Sequence, residues 1–148
     1  TVGIHDRFQT ITALTVDALR LLGVEPVVGE VPGEYCPGEY SVSAGGRVKL
    51  AGYGQRLIRG AAHVGGVVVV SDADEVNRLL EPIYATLGLP LDPGATGDIT
   101  REVGAVTVEA VIEAFSGALA RRRDVHVAPL PLTLVDQARD RVEGLLSP

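Results

Sequence analysis

The sequence predicts an α+β fold, a mostly antiparallel sheet packed against helices. Three observations carry that prediction. A helical periodicity opens the chain before any strand signal. Short β-branched runs broken by Gly and Pro then cluster between residues 26 and 70. The remainder is dominated by amphipathic helical stretches. Strands segregated from helices in this way suit a mostly antiparallel sheet better than alternating βαβ units.

The elements follow in order. Phe8, Ile11, Leu14, Ala18 and Leu22 recur at helical spacing over 6–22, and Gly23 stands where a C-terminal cap belongs. "EPVVGEVPGEYCPGEYSV" reads as a strand near 26–31, a loop at 32–38 and a strand near 39–43. "AGG" at 44–46 is a hairpin turn, and "RVKLAGYGQRLI" and "GAAHVGGVVVV" are the next two strands. The run Val67–Val70 suits a strand buried on both faces.

Asp72 and Glu75 have capping-box spacing before a helix carrying Val76, Leu79, Leu80, Ile83 and Leu87. Pro82 should kink or split that helix, and Gly88 should end it. "PLDPGATGDITREVG" is loop with room for one helical turn. Thr107 caps a helix with Val108, Val111, Ile112, Phe115 and Leu119, which ends in Arg121–Arg123, where positive charge suits the helix C-terminus. "DVHVAPL" alternates like a short strand, and Thr133 caps a last helix to about Leu146.

Bulk properties bound the function. The chain has 148 residues, which reads as a single domain, 1–148. Such a length buries enough surface to fold without disulfides. Aromatic content is only 4%, with no Met or Trp, so the core must come from Val, Leu, Ile and Ala. A net charge of −6 argues against nucleic acid as a partner, because phosphate neutralisation needs basic residues. No apolar run reaches membrane-spanning length, so no membrane partner is expected. A single cysteine and an N-terminus without a signal-peptide pattern fit a reducing, cytoplasmic location.

Lys49 is the first candidate for chemistry. Of the 13 Lys and Arg residues it alone is lysine. A solvated hairpin lysine is the ordinary reading. Against it stand the apolar neighbours Val48 and Leu50, and Gly52 and Gly54 at alternate positions. A strand strip without side chains lets a ligand lie against backbone. An ammonium at its end acts as a point charge on a carbonyl or phosphate oxygen.

Cys36, in "GEYCPGEY", is the second candidate. A lone cysteine is ordinarily a small buried hydrophobe. This one stands among glycines and prolines, where a loop thiol is accessible and a nearby cation activates it. Lys49, thirteen residues later across the expected hairpin, is the one lysine able to do so. His5, His63 and His126 lack metal-ligand spacing, so no protein-bound metal is expected. His63, before a Gly-Gly pair and a strand, can face a site and form a Cys–His pair with Cys36. Arg121–Arg123 reads as a solvated helix end. No P-loop, dinucleotide fingerprint or G-x-S-x-G elbow occurs.

The segment "RVKLAGYGQRLIRGAAHVGGVVVV" resembles the region around the active-site lysine of the lipoate–protein ligase and octanoyltransferase family, with biotin–protein ligases as more distant relatives. The matching positions are Arg47, Lys49, Gly52, Gly54, Gln55, Arg56, Gly60 and Val67–Val70. "VPGEYCPGEYSVSAGG" looks like the hairpin before that lysine, in which one octanoyltransferase branch carries the acyl group on a cysteine; Cys36 falls at that place. The resemblance spans residues 6 to about 120 and is strongest from 30 to 70. Tyr53 stands where the family usually has a small residue. Gly65 stands where many members have a histidine, with His63 two residues earlier. Residues 1–30 show nothing like the family's arginine–glycine-rich N-terminal motif.

The resemblance implies a class II aminoacyl-tRNA synthetase/biotin protein ligase-like fold, represented by its C-terminal portion, with an N-terminal half separate or missing. It implies transfer of a lipoyl or octanoyl group to a lysine of a lipoyl carrier domain, through an acyl-adenylate or a Cys36 thioester. Lys49 would orient and polarise the acyl carbonyl, and Gly52, Tyr53, Gly54, Arg56 and His63 would contact substrate. Lipoate or octanoate, with ATP for a ligase, and a lipoyl domain or acyl carrier protein are the implied ligands and partners. The competing expectation is a non-catalytic module of the same fold that binds an acyl ligand or carrier protein.

Overall fold

A computed structural model describes residues 3–146. The α+β expectation holds. Helix α1 (Ile4–Leu21) is followed by four strands, β1 (Pro26–Val28), β2 (Val42–Ala44), β3 (Val48–Ile58) and β4 (Ala61–Val68). Then come α2 (Ala73–Leu87), a 3-10 turn (Pro93–Ala95), α3 (Ile99–Val103), α4 (Val108–Ala120) and α5 (Leu132–Leu146). The strands form one antiparallel sheet in the order β1-β2-β3-β4. Among the described residues no helix is long and apolar enough to cross a membrane.

Helix α1 ends as its glycine predicts. Gly23 takes φ +86°, and the Val24 N–H returns to the Leu19 carbonyl at 3.0 Å. This six-to-one bond closes a Schellman cap. The buried residues of α1 are Thr12, Thr15, Ala18 and Leu19, a stripe rotated from the one the apolar pattern suggests. Two neighbours cause the rotation. Ala18 packs closely on Ala114 and Ala118 of α4, and Thr15 bonds both the Ile11 carbonyl and the Tyr53 hydroxyl of β3. The main core, with Leu19, Val24, Val42, Leu50, Ala51, Ile99 and Val111, lies between the sheet and α1, α3 and α4.

Several elements correct the sequence reading. The first two strands are three residues each, because a loop held by side chains occupies residues 29–41. In the β2–β3 turn Gly45 and Gly46 have φ +54° and +72°, which glycine alone adopts freely. Val67 is exposed, since one sheet face is packed and Val67 lies opposite Gly52 on the other. Asp72 makes no capping box; it sits in the left-handed region and accepts from Ser71 instead. Pro82 does not split α2. Leu79, Ile83 and Leu87 are exposed, while Ala73, Asn77 and Tyr84 are the buried residues of α2. Residues 124–130 form no strand, and α5 begins at Leu132, before Thr133.

Candidate active site

The site begins at a defect in the sheet. Val42 of β2 pairs with Ala51, but the next residue, Ser43, pairs with Lys49. One β2 step thus matches two on β3, which is a β-bulge. Its effect is to break alternation. Strict parity would place Lys49 on the face opposite Gly52 and Gly54. With the extra residue, Leu50 and Ala51 both enter the core, and Lys49 emerges on the glycine face. A Cβ on Gly52 would lie 2.9 Å from Lys49 Cε and 3.2 Å from Nζ. Glycine at 52 therefore makes room for the lysine itself.

Lys49 is 1% exposed, and all three of its donor positions are used. Nζ donates to Glu34 Oε1 at 3.1 Å, to the Tyr35 carbonyl at 2.8 Å and to the Cys36 carbonyl at 2.9 Å. It also lies 4.7 Å from the centroid of the Tyr35 ring. The solvated-lysine reading is overturned. Glu34, equally buried, accepts further from the N–H groups of Val31 and Gly38 and from the Ser41 hydroxyl. One buried ion pair thus gathers the loop that carries Cys36. Glu34 was missed in the sequence, although a lone lysine beside apolar neighbours needs a counter-charge if it is buried.

Cys36 is exposed on that loop, at φ +42°. Its carbonyl, not its sulfur, meets the ammonium. The contact to Sγ comes from elsewhere. The Tyr84 hydroxyl of α2 lies 3.8 Å from Sγ and accepts the Cys36 N–H at 2.6 Å. Burial raises the phenol pKa of both Tyr84 and Tyr35. Tyr84 is separated from Cys36 by 48 residues, and no spacing signal joins them.

Two clefts meet at this point. A cavity of about 290 Å³ opens between Cys36, Lys49 and Tyr53 and the stacked rings of Phe8 and Tyr40. A groove of about 430 Å³ runs the other way over Gly52, Gly54, Gly65 and Gly66 to Val67, past the same Cys36, Lys49 and Tyr53. Its floor is backbone because Gly52 faces Val67 and Gly54 faces Gly65 across β3 and β4. Tyr53 lies on the opposite face. Its ring occupies the space over Gly66, and its hydroxyl reaches Thr15. Burial raises its pKa, with the Thr15 bond opposing.

The expected site residues therefore divide. Lys49, Cys36, Gly52 and Gly54 converge on the groove; Tyr53 borders it but turns its hydroxyl away to Thr15. Arg56 and His63 pair with each other across the hairpin, two residues beyond Gly54 and Gly65, and both are exposed. The His63 ring leans back toward Gly65. Gln55 serves the fold, bonding Arg7 and the Ile4 carbonyl to hold the start of α1. Among the described residues no group of three or more His, Cys, Asp or Glu could hold a metal ion.

Comparison with known proteins bears on this arrangement. No protein-family model matches the chain. It is 39% identical over 64 residues to an octanoyl-[GcvH]:protein N-octanoyltransferase of Geobacillus kaustophilus. It is 40% identical over 63 residues to the protein of the same name in Bacillus velezensis. Lipoate-protein ligase A, solved with ATP, superimposes with a TM-score of 0.73 at 19% identity over 95% of this chain. The chain has the fold of the lipoate-protein ligases, and over the matched segment its sequence is similar to that of the octanoyltransferases. Ta0514 of T. acidophilum, a proposed lipoate protein ligase solved with lipoic acid, gives 0.71 at 20% identity over 97% of the chain. The chain spans 22% of each octanoyltransferase and 55–56% of each ligase structure.

Proposed function

We propose that this chain carries the acyl-transfer centre of an octanoyl- or lipoyl-transferring enzyme whose acceptor is a lysine of a lipoyl carrier domain. One observation carries the reading. The exposed Cys36 sulfur stands where the two clefts meet, on a loop anchored by a buried ammonium. The names of the matched relatives, which specify octanoyl transfer from one carrier protein to another protein's nitrogen, support it.

In this reading the Cys36 thiolate attacks the acyl carbonyl carbon of an octanoylated donor. A carbon–sulfur bond forms, the donor carrier leaves, and its leaving atom takes a proton from solvent. The acceptor lysine amine then attacks the thioester carbon. The amide forms, its extra proton goes to solvent, and the Cys36 thiolate is released. The acyl chain lies in the glycine groove, and the cleft at Phe8 and Tyr40 leaves the other side open for the exchanging carriers. Lys49 holds the loop at rest. With substrate bound, Nζ trades the Tyr35 or Cys36 carbonyl for the acyl oxygen, where charge builds up in the transition state. Arg56 and His63, just beyond the groove on the glycine face, are the contacts for the remainder of the substrate. Given the share of its relatives that the chain spans, a separate polypeptide or segment completes the site.

A ligase reading shares Lys49 and the groove and differs in its donor, an acyl-adenylate made from ATP; the ATP-bound and lipoate-bound neighbours favour it. Intact-mass spectrometry separates the readings. The chain, with any completing half, is mixed with octanoylated carrier protein without ATP. A gain of one octanoyl group, removed by hydroxylamine and absent in Cys36→Ala, is expected. Loading only with lipoate and ATP would replace the transferase by a ligase. Binding of carrier with no transfer under either condition would leave a non-catalytic module.

A further inference from the structure

Tyr84 reaches the candidate nucleophile from outside the loop that carries it, and the sequence pattern assigns it no task. It belongs to α2, is 9% exposed, and directs its hydroxyl at Cys36. The backbone it meets is in an unfavourable state. Cys36 has φ +42°, a region that non-glycine residues seldom adopt. It also precedes Pro37, which restricts its conformation further. Such conformations persist only where neighbours over-determine them, and they cluster at functional sites. Here the neighbours are Tyr84 on the Cys36 N–H and Lys49 on the Cys36 carbonyl. The same phenol oxygen that accepts the N–H has a proton left to donate, and Sγ is 3.8 Å away.

We propose that Tyr84 is a positioning residue for Cys36. Its hydroxyl holds the strained peptide and donates to the sulfur, which favours the thiolate over the thiol. A donor to the charged form of an acid stabilises that form. The inference rests on Cys36 being the nucleophile, and it adds a role for α2 in that centre. The lysine has no donor left for the sulfur in this arrangement, because its three bonds go to the Glu34 carboxylate and to the Tyr35 and Cys36 carbonyl oxygens.

The test uses iodoacetamide on the full chain. Cys36 is the one cysteine, so every thiol alkylation, located by peptide mass, reports this site. Tyr84→Phe keeps the ring and removes the hydroxyl. At pH 7 its alkylation rate should fall about tenfold, the size of effect of losing a hydrogen bond to a charged group. At pH 10, where an ordinary thiol is ionised, the two rates should agree within about twofold. Equal rates at pH 7 would overturn the proposal. So would a gap of the same size at both pH values, which would mean only altered access. If Tyr84→Phe does not fold, the assigned tyrosine ring-carbon NMR spectrum of the wild-type chain decides. The Tyr84 Cζ resonance should move when Cys36 is alkylated, and an unmoved resonance overturns the proposal. None of these measurements uses an acyl donor. A Cys36 that reacts normally with iodoacetamide but accepts no acyl group would instead sink the transferase reading.

Discussion

The Lys49 ammonium lies 3.1 Å from the Glu34 carboxylate, and neither side chain reaches solvent. The residue that carries the proposed oxyanion chemistry is thus also the one that orders the nucleophile's loop. Removing one member of a buried ion pair leaves the other charged and uncompensated, which typically costs about 3–5 kcal/mol. Lys49→Met should therefore lower the melting temperature by on the order of 10 °C. Glu34→Gln should do nearly as much, since Oε1 and Oε2 together also serve Val31, Gly38 and Ser41. A double variant less destabilised than the sum of the two is expected by calorimetry. A melting temperature unchanged in Lys49→Met would show that the ammonium is not buried in solution. Loss of activity in a Lys49 variant proves a chemical role only after this structural loss is subtracted.

The glycines of the groove should separate fold from function. A Cβ at Gly54 meets nothing within 4 Å, so Gly54→Val should keep wild-type stability. The new side chain would project into the proposed acyl groove, and misplacing the chain should cut Cys36 acylation by on the order of 100-fold. At Gly66 the reverse holds. A Cβ there would stand 2.3 Å from Tyr53 Cδ1 and 2.8 Å from the Gly52 carbonyl oxygen. Gly66→Ala should lose about 1–3 kcal/mol through overpacking, read from urea unfolding. A Gly54→Val protein that loads an octanoyl group at the wild-type rate would place the acyl chain elsewhere.

The sheet, α1 and the glycine strip were legible because each rests on local rules: period, cap residue and turn glycine. Lys49 and Cys36 stood out by rarity, as the one lysine and the one cysteine. What escaped depends on contacts distant in sequence. The bulge that carries Lys49 to the glycine face exists only in the pairing of β2 with β3. Tyr84 approaches Cys36 across 48 residues. Helix α2 misled in the other direction, since its apolar positions Leu79, Ile83 and Leu87 are exposed while the polar Asn77 is buried against the Pro93 carbonyl. Alternation in 124–130 made no strand; among the described residues the sheet consists of β1 to β4 and does not extend to this segment.

Asp98 joins two helices and should be among the costly positions outside the site. Oδ1 caps α3 by accepting the Arg101 N–H at 2.8 Å, and Oδ2 accepts the Ala73 N–H at the start of α2 at 3.0 Å. The side chain is 2% exposed. Asp98→Ala removes a cap and leaves a buried N–H without a partner. The sum should be about 2–4 kcal/mol. Hydrogen exchange at the Ala73 amide should accelerate in step with the loss of global stability. An exchange rate there equal to wild type would mean that the α2 link contributes nothing.

Asp17 of α1 and Arg122, just after α4, supply a pH-dependent clasp between those helices. Arg122 Nε donates to Asp17 Oδ2 at 3.2 Å, Nη2 reaches the same oxygen, and Nη2 also holds the Ala13 carbonyl. The hydrogen bond from Arg122 lowers the Asp17 pKa from its ordinary 3.8, with burial opposing. A carboxylate depressed in the folded state stabilises fully above its unfolded value, and the stability is lost as pH falls through the lowered one. The contribution should therefore be intact at pH 5 to 7, begin to fall near 3.8 and be gone only once the pH has passed below the lowered value. The pair is partly exposed, so solvent screening limits it to under about 1 kcal/mol. Asp17→Asn should melt below wild type at pH 7, with a gap that shrinks in 1 M salt and closes near pH 2. A gap that persisted at pH 2 would assign the loss to packing between α1 and α4, where Ala18 meets Ala114 and Ala118, and not to the charge.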